Sequence, residues 1–74
     1  MHEELLTVKE VAAVLRSNSG YVYRLRDAGL LKFMKLGNLK CRRSTLDAFI
    51  RSMDGMDVTD PMNIKPLEEE RTSR

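Results

Sequence analysis

Apolar residues near the start of the chain recur at helical spacing. Four of them follow the i, i+3, i+4, i+7 pattern of one buried helix face: Val8, Val11, Ala12 and Leu15. Thr7 and Glu10 stand at the two positions of a capping box, so the helix is predicted to begin directly after Thr7. A helix of about two turns is too short to be stable alone, and its stability must come from packing.

A second short helix is predicted over residues 19–28. Asn18 is a suitable N-cap, and Gly29 suits the left-handed residue that ends a helix. Val22 and Leu25 lie on one face of this helix and are expected to point inward. Two short helices joined by about three or four residues form a helix-turn-helix arrangement.

From Lys32 the pattern changes to the alternation that is typical of β-strands. Gly37-Asn38 is a two-residue loop with glycine at its first position, which predicts a tight hairpin. We expect four cross-strand pairs: Leu36 with Leu39 and Met34 with Cys41 on one face, Lys35 with Lys40 and Phe33 with Arg42 on the other. The hairpin is therefore predicted to have an apolar inner face, with Cys41 in the core, and a largely basic outer face.

A third helix is predicted to follow the hairpin, with Ser44 as its N-cap and Asp54-Gly55 as its end. Its buried stripe is expected to consist of four residues: Leu46, Phe49, Ile50 and Met53. The order helix, turn, helix, basic hairpin, helix predicts a mostly α fold with a small β-hairpin, a winged helix-turn-helix over residues 1–55.

Residues 56–74 form a different kind of segment, with Pro61, Pro66 and an acidic triplet at 68–70. We expect an acidic, extended C-terminal tail without an independent fold. Four apolar residues nevertheless recur along it: Val58, Met62, Ile64 and Leu67. They indicate a docking segment, which either binds a partner or folds back over Met53 or Phe49.

The distribution of charge along the 74 residues separates a basic body from this tail. Residues 1–53 carry ten Lys and Arg against five Asp and Glu, a net charge of +5, whereas residues 54–74 carry three against six, a net charge of −3. A basic body favours a polyanionic partner such as nucleic acid.

The residue types that catalysis or metal binding needs are sparse. The single Cys41 excludes an internal disulfide, and the single His2 lacks partners for a metal site. With neither a Ser/His/Asp nor a Cys/His set, we expect no enzyme, no cofactor and no small-molecule ligand. Apolar runs fall short of the ~20 residues of a membrane helix, so we expect no membrane partner and a cytoplasmic protein.

Five segments resemble the excisionase-type, MerR-like DNA-binding domain: LLTVKEVA at 5–12, VYRL at 22–25, AGLL at 28–31, KLG at 35–37 and RSTLDAFI at 43–50. The resemblance implies that the second helix enters the major groove of duplex DNA while the hairpin, the wing, reaches the minor groove or the backbone. The chain departs from the family pattern in two places. Arg16 and Ser17 replace a glycine and an apolar residue in the turn, and Gly20 replaces a hydroxyl side chain.

The function that this resemblance implies is that of an excisionase, or recombination directionality factor, of a phage or integrative element. Several copies would bind adjacent sites cooperatively, bend the DNA and assist a tyrosine integrase in excision. Two alternatives stay open, a small MerR-like transcriptional regulator and a protein-interaction adapter whose basic face binds an acidic partner.

The resemblance also implies which residues contact DNA. On the second helix these are Ser19, Gly20, Tyr23 and Arg24, and on the wing and along the backbone they are Arg16, Lys35, Asn38, Lys40, Arg42 and Arg43. Arg24 is expected to bind a guanine edge or a phosphate. The alternatives are ordinary surface roles: a solvated Arg24, wing lysines that keep an edge strand soluble, and salt bridges from Arg42 or Arg43 to Asp47. The pattern does not orient Tyr21.

Overall fold

The computed structural model describes residues 4–67, which fold into three helices and two small antiparallel sheets. The elements in chain order are β1 (Leu5–Thr7), α1 (Val8–Val14), α2 (Ser19–Asp27), β2 (Met34–Leu36), β3 (Asn38–Arg42), α3 (Arg43–Ser52), β4 (Met56–Asp57) and β5 (Lys65–Pro66). Helix, turn, helix, hairpin and helix follow one another as predicted, which confirms the winged helix-turn-helix.

The beginnings of α1 and α2 are set by local hydrogen bonds that the sequence predicts. The Thr7 hydroxyl accepts from the Glu10 amide at 3.1 Å, and the Glu10 carboxylate accepts from the Thr7 amide at 2.9 Å. The Asn18 side chain accepts from the Tyr21 amide at 2.8 Å. Both caps satisfy backbone donors that a helix start leaves unpaired, so both predicted caps are confirmed.

Helices α1 and α2 end in the same way, with a left-handed residue and a hydrogen bond that spans five residues. Ser17 donates to the Ala12 carbonyl at 2.8 Å, and Leu30 donates to the Leu25 carbonyl at 3.0 Å. The left-handed residue is Gly29 after α2, with φ +79°, whereas after α1 it is Arg16, with φ +55°. Arg16 therefore occupies a conformation that normally favours glycine.

The wing is part of a three-stranded sheet in the order β1-β3-β2, and β1 is a strand that the sequence pattern did not predict. Leu6 of β1 lies opposite Cys41 of β3, and both side chains are buried. The Arg43 amide donates to the Glu4 carbonyl at 2.8 Å, which extends this pairing by one residue. The chain segment before α1 thus ties the helix-turn-helix to the base of the wing.

The register of the wing differs by one position from the predicted one. Leu36 pairs with Asn38 across Gly37, so that Lys35 faces Leu39 and Met34 faces Lys40. Gly37, with φ +77°, turns the chain within a single residue, and the predicted two-residue loop is wrong. Because side chains alternate across a strand, Met34 and Leu36 lie on the face opposite Cys41, and Leu36 is 55% exposed.

Helix α3 begins at Arg43, directly after β3, and Arg42 in the N-cap position makes no side-chain capping bond. The prediction of Ser44 as the N-cap is therefore wrong. The strand runs into the helix without a loop, and the Glu4 carbonyl already satisfies the first amide of the helix. Within α3, Leu46 is fully buried and Phe49 packs against the core, whereas Ile50, predicted to be buried, is 38% exposed.

The core lies where α1, α2, α3 and the three-stranded sheet meet. It consists of Leu6, Val11, Ala12, Val22, Leu25, Leu31, Cys41 and Leu46. Burial raises the pKa of the Cys41 thiol, which keeps it neutral in this apolar setting. The predicted place of Cys41 in the core is confirmed.

Residues 56–67 fold back onto the domain as a second hairpin, here called the C-terminal hairpin. Its strands β4 and β5 pair antiparallel, and the Leu67 amide donates to the Gly55 carbonyl at 3.0 Å. Val58 packs against the core, Pro61 is buried, and the Tyr21 hydroxyl donates to the Val58 carbonyl. His2 and the acidic triplet at 68–70 lie outside the described residues, and a domain boundary after residue 55 stays a prediction.

Candidate nucleic-acid interface

A cleft of about 440 Å³ separates the wing from the first turns of α1 and α2. We call it the α2–wing cleft. Six polar side chains line it: Thr7, Lys9, Ser19, Tyr23, Lys35 and Asn38. The cleft is open to solvent and holds two lysines, so it presents positive charge and hydrogen-bond donors to an anionic ligand.

The structure brings four of the ten predicted site residues together in this cleft. Ser19 and Tyr23 come from α2, and Lys35 and Asn38 come from the wing. Lys9 joins them although the sequence analysis did not select it. The sequence signal that could have identified Lys9 is its position directly after Val8 and off the apolar stripe of α1, which places a positive charge on the surface at the start of this helix.

The outward face of α2 is defined by the residues that point away from the core. Val22 and Leu25 are fully buried. Since successive residues of a helix are rotated by about 100°, Gly20, Tyr23 and Arg24 lie on the opposite side, and all three are exposed. The helix thus exposes three of its four predicted contact residues, and the fourth, Ser19, is half-buried at the cleft.

Two arginines of α2 lie over tyrosine rings. The guanidinium of Arg26 is 5.2 Å from the centre of the Tyr23 ring, and Arg26 Nη2 is 2.9 Å from Asp27 Oδ1. The guanidinium of Arg24 is 5.8 Å from the centre of the Tyr21 ring. Arg26 was not among the predicted contact residues, although its spacing of three residues from Tyr23 indicates a contact on one helix face.

The structure also orients Tyr21, which the sequence pattern left open. The ring is half-buried beside the core, and its hydroxyl donates to the Val58 carbonyl of the C-terminal hairpin. Burial raises the pKa of Tyr21, the nearby charge of Arg24 lowers it, and Asp57 raises it. The net increase keeps the hydroxyl protonated, as the hydrogen bond to Val58 requires.

The remaining basic site residues lie outside the cleft. Lys40 and Arg42 alternate with Leu39 and Cys41 along β3, and therefore lie on the sheet face opposite Lys35. Arg16 is exposed in the turn between α1 and α2.

Arg43 makes the contact that the sequence analysis named as its alternative role. Its Nε lies 3.4 Å from Asp47 Oδ1, between side chains that are both more than two-fifths exposed. An exposed pair of this kind contributes little to stability. Because both side chains are exposed, Arg43 can exchange its contact with Asp47 for a contact with another anion.

Gly20 lies close to the side chain that caps α2. A Cβ atom at this position would lie 3.3 Å from Asn18 Oδ1, the oxygen that caps α2. A side chain there would press on the cap, and its absence leaves the first turn of α2 bare toward solvent.

Over residues 4–67, His, Cys, Asp and Glu side chains form no group of three or more that could hold a metal ion. Within that same range, each helix is too short or too polar to cross a membrane.

Comparison with known proteins gives one match. A family model described as a helix-turn-helix domain matches residues 5–54, from β1 through the end of α3. No curated protein and no solved structure matches the chain. Because the family model covers well over half of the 74 residues, the protein belongs to this helix-turn-helix family, a DNA-binding family that includes excisionase-like proteins.

Proposed function

We propose that this chain is a sequence-specific, architectural duplex DNA-binding protein, and that it acts as an excisionase. The observation that carries the DNA-binding part is the α2–wing cleft, which adjoins the outward face of α2 and contains Lys9 and Lys35. A helix of about 10–12 Å diameter fits the major groove, which is about 12 Å wide. The family is typically non-enzymatic, in keeping with a role in binding.

The proposal assigns a different kind of DNA contact to each group of side chains. Tyr23 and Arg24 contact base edges or backbone in the major groove, while Ser19, Lys9 and Lys35 hold the phosphates of the strand that enters the cleft. Asn38 at the wing tip approaches the minor groove. The other basic side chains extend the phosphate contacts on either side: Arg16, Lys40, Arg42 and Arg43.

The small size of the DNA-binding surface on one copy fits the excisionase role. One short helix and one wing bury little surface, so a single copy binds DNA modestly and several copies on adjacent sites bind cooperatively. The bound array bends the DNA and assists a tyrosine integrase. The C-terminal hairpin, with Asp57, Asp60 and the exposed Met62, offers a surface for that partner or for the next copy. This function requires a cytoplasmic protein.

Two alternatives differ in what they predict. A small MerR-like regulator binds a promoter through the same surface, and an integrase gene beside this one favours the excisionase over it. A protein-interaction adapter uses the basic surface for an acidic protein. DNA footprinting tests the proposal against the adapter, because an unprotected duplex contradicts both DNA-binding functions.

The cleft lysines are expected to make the affinity for DNA steeply dependent on salt. Lys35→Ala lowers the affinity for specific and random duplexes alike, and it reduces the slope of log K against log salt by about 0.9 if one phosphate contact is lost. The matched control is Lys65→Ala, an exposed lysine of the C-terminal hairpin outside the cleft. Fluorescence anisotropy across a salt series measures both slopes. An unchanged slope in Lys35→Ala removes this residue from the phosphate contacts.

We expect Arg16 to lower the free energy of unfolding and to raise the affinity for DNA. Its left-handed conformation costs roughly 1–2 kcal/mol in a residue with a side chain, and the greater freedom of glycine in the unfolded chain offsets about 0.4–1 kcal/mol of that. We therefore expect Arg16→Gly to raise the melting temperature by a few degrees. The same change weakens DNA binding, because a charge beside the helix-turn-helix is lost. Thermal melts and anisotropy on the same samples test the two effects. Gly29→Ala is the converse control, and we expect it to lower the melting temperature. An Arg16→Gly variant with unchanged affinity contradicts the proposed phosphate contact.

A further inference from the structure

Tyr21 joins two parts of the molecule that the proposed function treats separately. On one side its hydroxyl is bonded to the Val58 carbonyl of the C-terminal hairpin. On the other side its ring lies 5.8 Å from the guanidinium of Arg24, which is on the outward face of α2. Tyr21 itself is half-buried, at the edge of the core.

We propose that Tyr21 is a positioning residue, whose ring holds the Arg24 side chain ready for DNA and is itself held by the C-terminal hairpin. This inference rests on the proposed function, because it concerns how a DNA contact is prepared. It assigns to residues 56–67 a part in binding that needs no contact between the hairpin and DNA.

The physical basis is the entropy of a long side chain. An exposed arginine occupies many rotamers, and a bound one occupies few, so ordering it before binding reduces the loss. Tyr21 and Arg24 are three residues apart and therefore adjacent on the helix surface. The ring attracts the guanidinium through its quadrupole. Two anchors restrict the ring in turn, its contact with the core and its hydrogen bond to Val58.

The competing explanation is that Tyr21 only fastens the C-terminal hairpin. In that case the hydroxyl and the buried edge of the ring matter for stability, and the distance to Arg24 has no consequence. The two explanations differ in whether the effect of Tyr21 on DNA binding depends on Arg24. A double-mutant cycle measures that dependence.

The cycle uses the full chain and four variants: Tyr21→Phe, Tyr21→Met, Arg24→Ala and the double variant Tyr21→Met/Arg24→Ala. The probes are a duplex that the unaltered chain selects from a random-sequence pool and a scrambled duplex of the same length. We expect Tyr21→Met to weaken binding to the selected duplex about two- to fivefold when Arg24 is present. With alanine at position 24, Tyr21→Met has no further effect. Tyr21→Phe keeps the ring but loses its bond to Val58, so it lowers the melting temperature and weakens binding by a smaller factor than Tyr21→Met does.

Two results of the cycle overturn the inference alone. One is an equal loss from Tyr21→Met with and without Arg24, which assigns Tyr21 a purely structural part. The other is a loss from Tyr21→Phe as large as that from Tyr21→Met, which shows that the ring does not act on Arg24.

A measurement on the unaltered chain is independent of whether the variants fold. Proton NMR of the free protein is expected to show contacts from the Tyr21 ring to the Arg24 side chain, with those arginine protons shifted upfield. Absence of these contacts overturns the inference. Failure of the unaltered chain to select any duplex overturns the proposed function and, with it, this inference.

Discussion

A chain that ends at Gly55 is expected to melt on the order of 10 °C below the full-length protein. The truncation removes the C-terminal hairpin, and with it the packing of Val58, the burial of Pro61 and the acceptor of the Tyr21 hydroxyl. Partial burial of these apolar groups and one hydrogen bond together stabilise the fold by roughly 2 kcal/mol. In a domain of this size each kcal/mol shifts the melting temperature by about 4–8 °C.

Circular dichroism melts of four chains test this expectation. The control is a chain that ends at Leu67, which keeps every contact named above, including the bond from the Leu67 amide to the Gly55 carbonyl. We expect the control to have the melting temperature of the full-length chain. Tyr21→Phe is expected to melt between the full-length chain and the chain that ends at Gly55. A chain ending at Gly55 that melts like the full-length protein shows that the hairpin adds nothing to the stability of the core, and it favours a segment that serves a partner alone.

Arg24→Ala is expected to have the largest effect on DNA recognition of any single substitution on α2. Arg24 is exposed on the outward face, and an arginine in the major groove can bond to the O6 and N7 atoms of one guanine. Loss of such a pair costs about 1–3 kcal/mol on the selected duplex and relaxes the preference at one base pair. Random duplexes, which are bound through phosphates, lose much less.

The matched control is Arg51→Ala, an exposed arginine in the last turn of α3 and outside the proposed interface. It removes the same charge, and we expect the affinity to stay within about twofold. Competition binding with single-base variants of the selected duplex measures the preference at each position. If Arg24→Ala weakens selected and random duplexes equally, Arg24 is a phosphate contact, and the base preference comes from other residues.

The parts of the fold that the sequence predicted well are those in which a side chain bonds to backbone a few residues away. The capping box of Thr7 and Glu10 and the cap at Asn18 both join residues three positions apart. Such contacts form whenever the local residues are present, and they depend little on the rest of the chain. The outward face of α2 followed equally well, because the burial of Val22 and Leu25 alone defines it.

The errors in the sheet concern the pairing of its strands. The alternation of residues 33–42 was compatible with two registers. In one register Met34 and Leu36 both lie on the face of Cys41, and in the other both lie on the opposite face. The turn at Gly37 selected one register, and the pairing of Leu6 with Cys41 defined which face of β3 is buried. Neither β1 nor the bond from the Arg43 amide to the Glu4 carbonyl beside it has a local signature, because a three-residue strand requires its partner in order to exist.

For the candidate site too, the sequence predicted single residues, and the tertiary structure decided how they are grouped. Charge pattern and resemblance selected Ser19, Tyr23, Lys35 and Asn38 one at a time, and only the packing of α1, α2 and the wing brought them into one cleft together with Lys9. The bond from Tyr21 to Val58 joins residues 37 positions apart, and no periodicity predicts it.

The sequence by itself determined the helices, the caps of α1 and α2, the buried stripe of α2 and the basic body, since each depends on residues close together along the chain. Tertiary structure decided the wing register, the strand before α1 and the return of residues 56–67 to the core, because these depend on which distant apolar groups exclude water together.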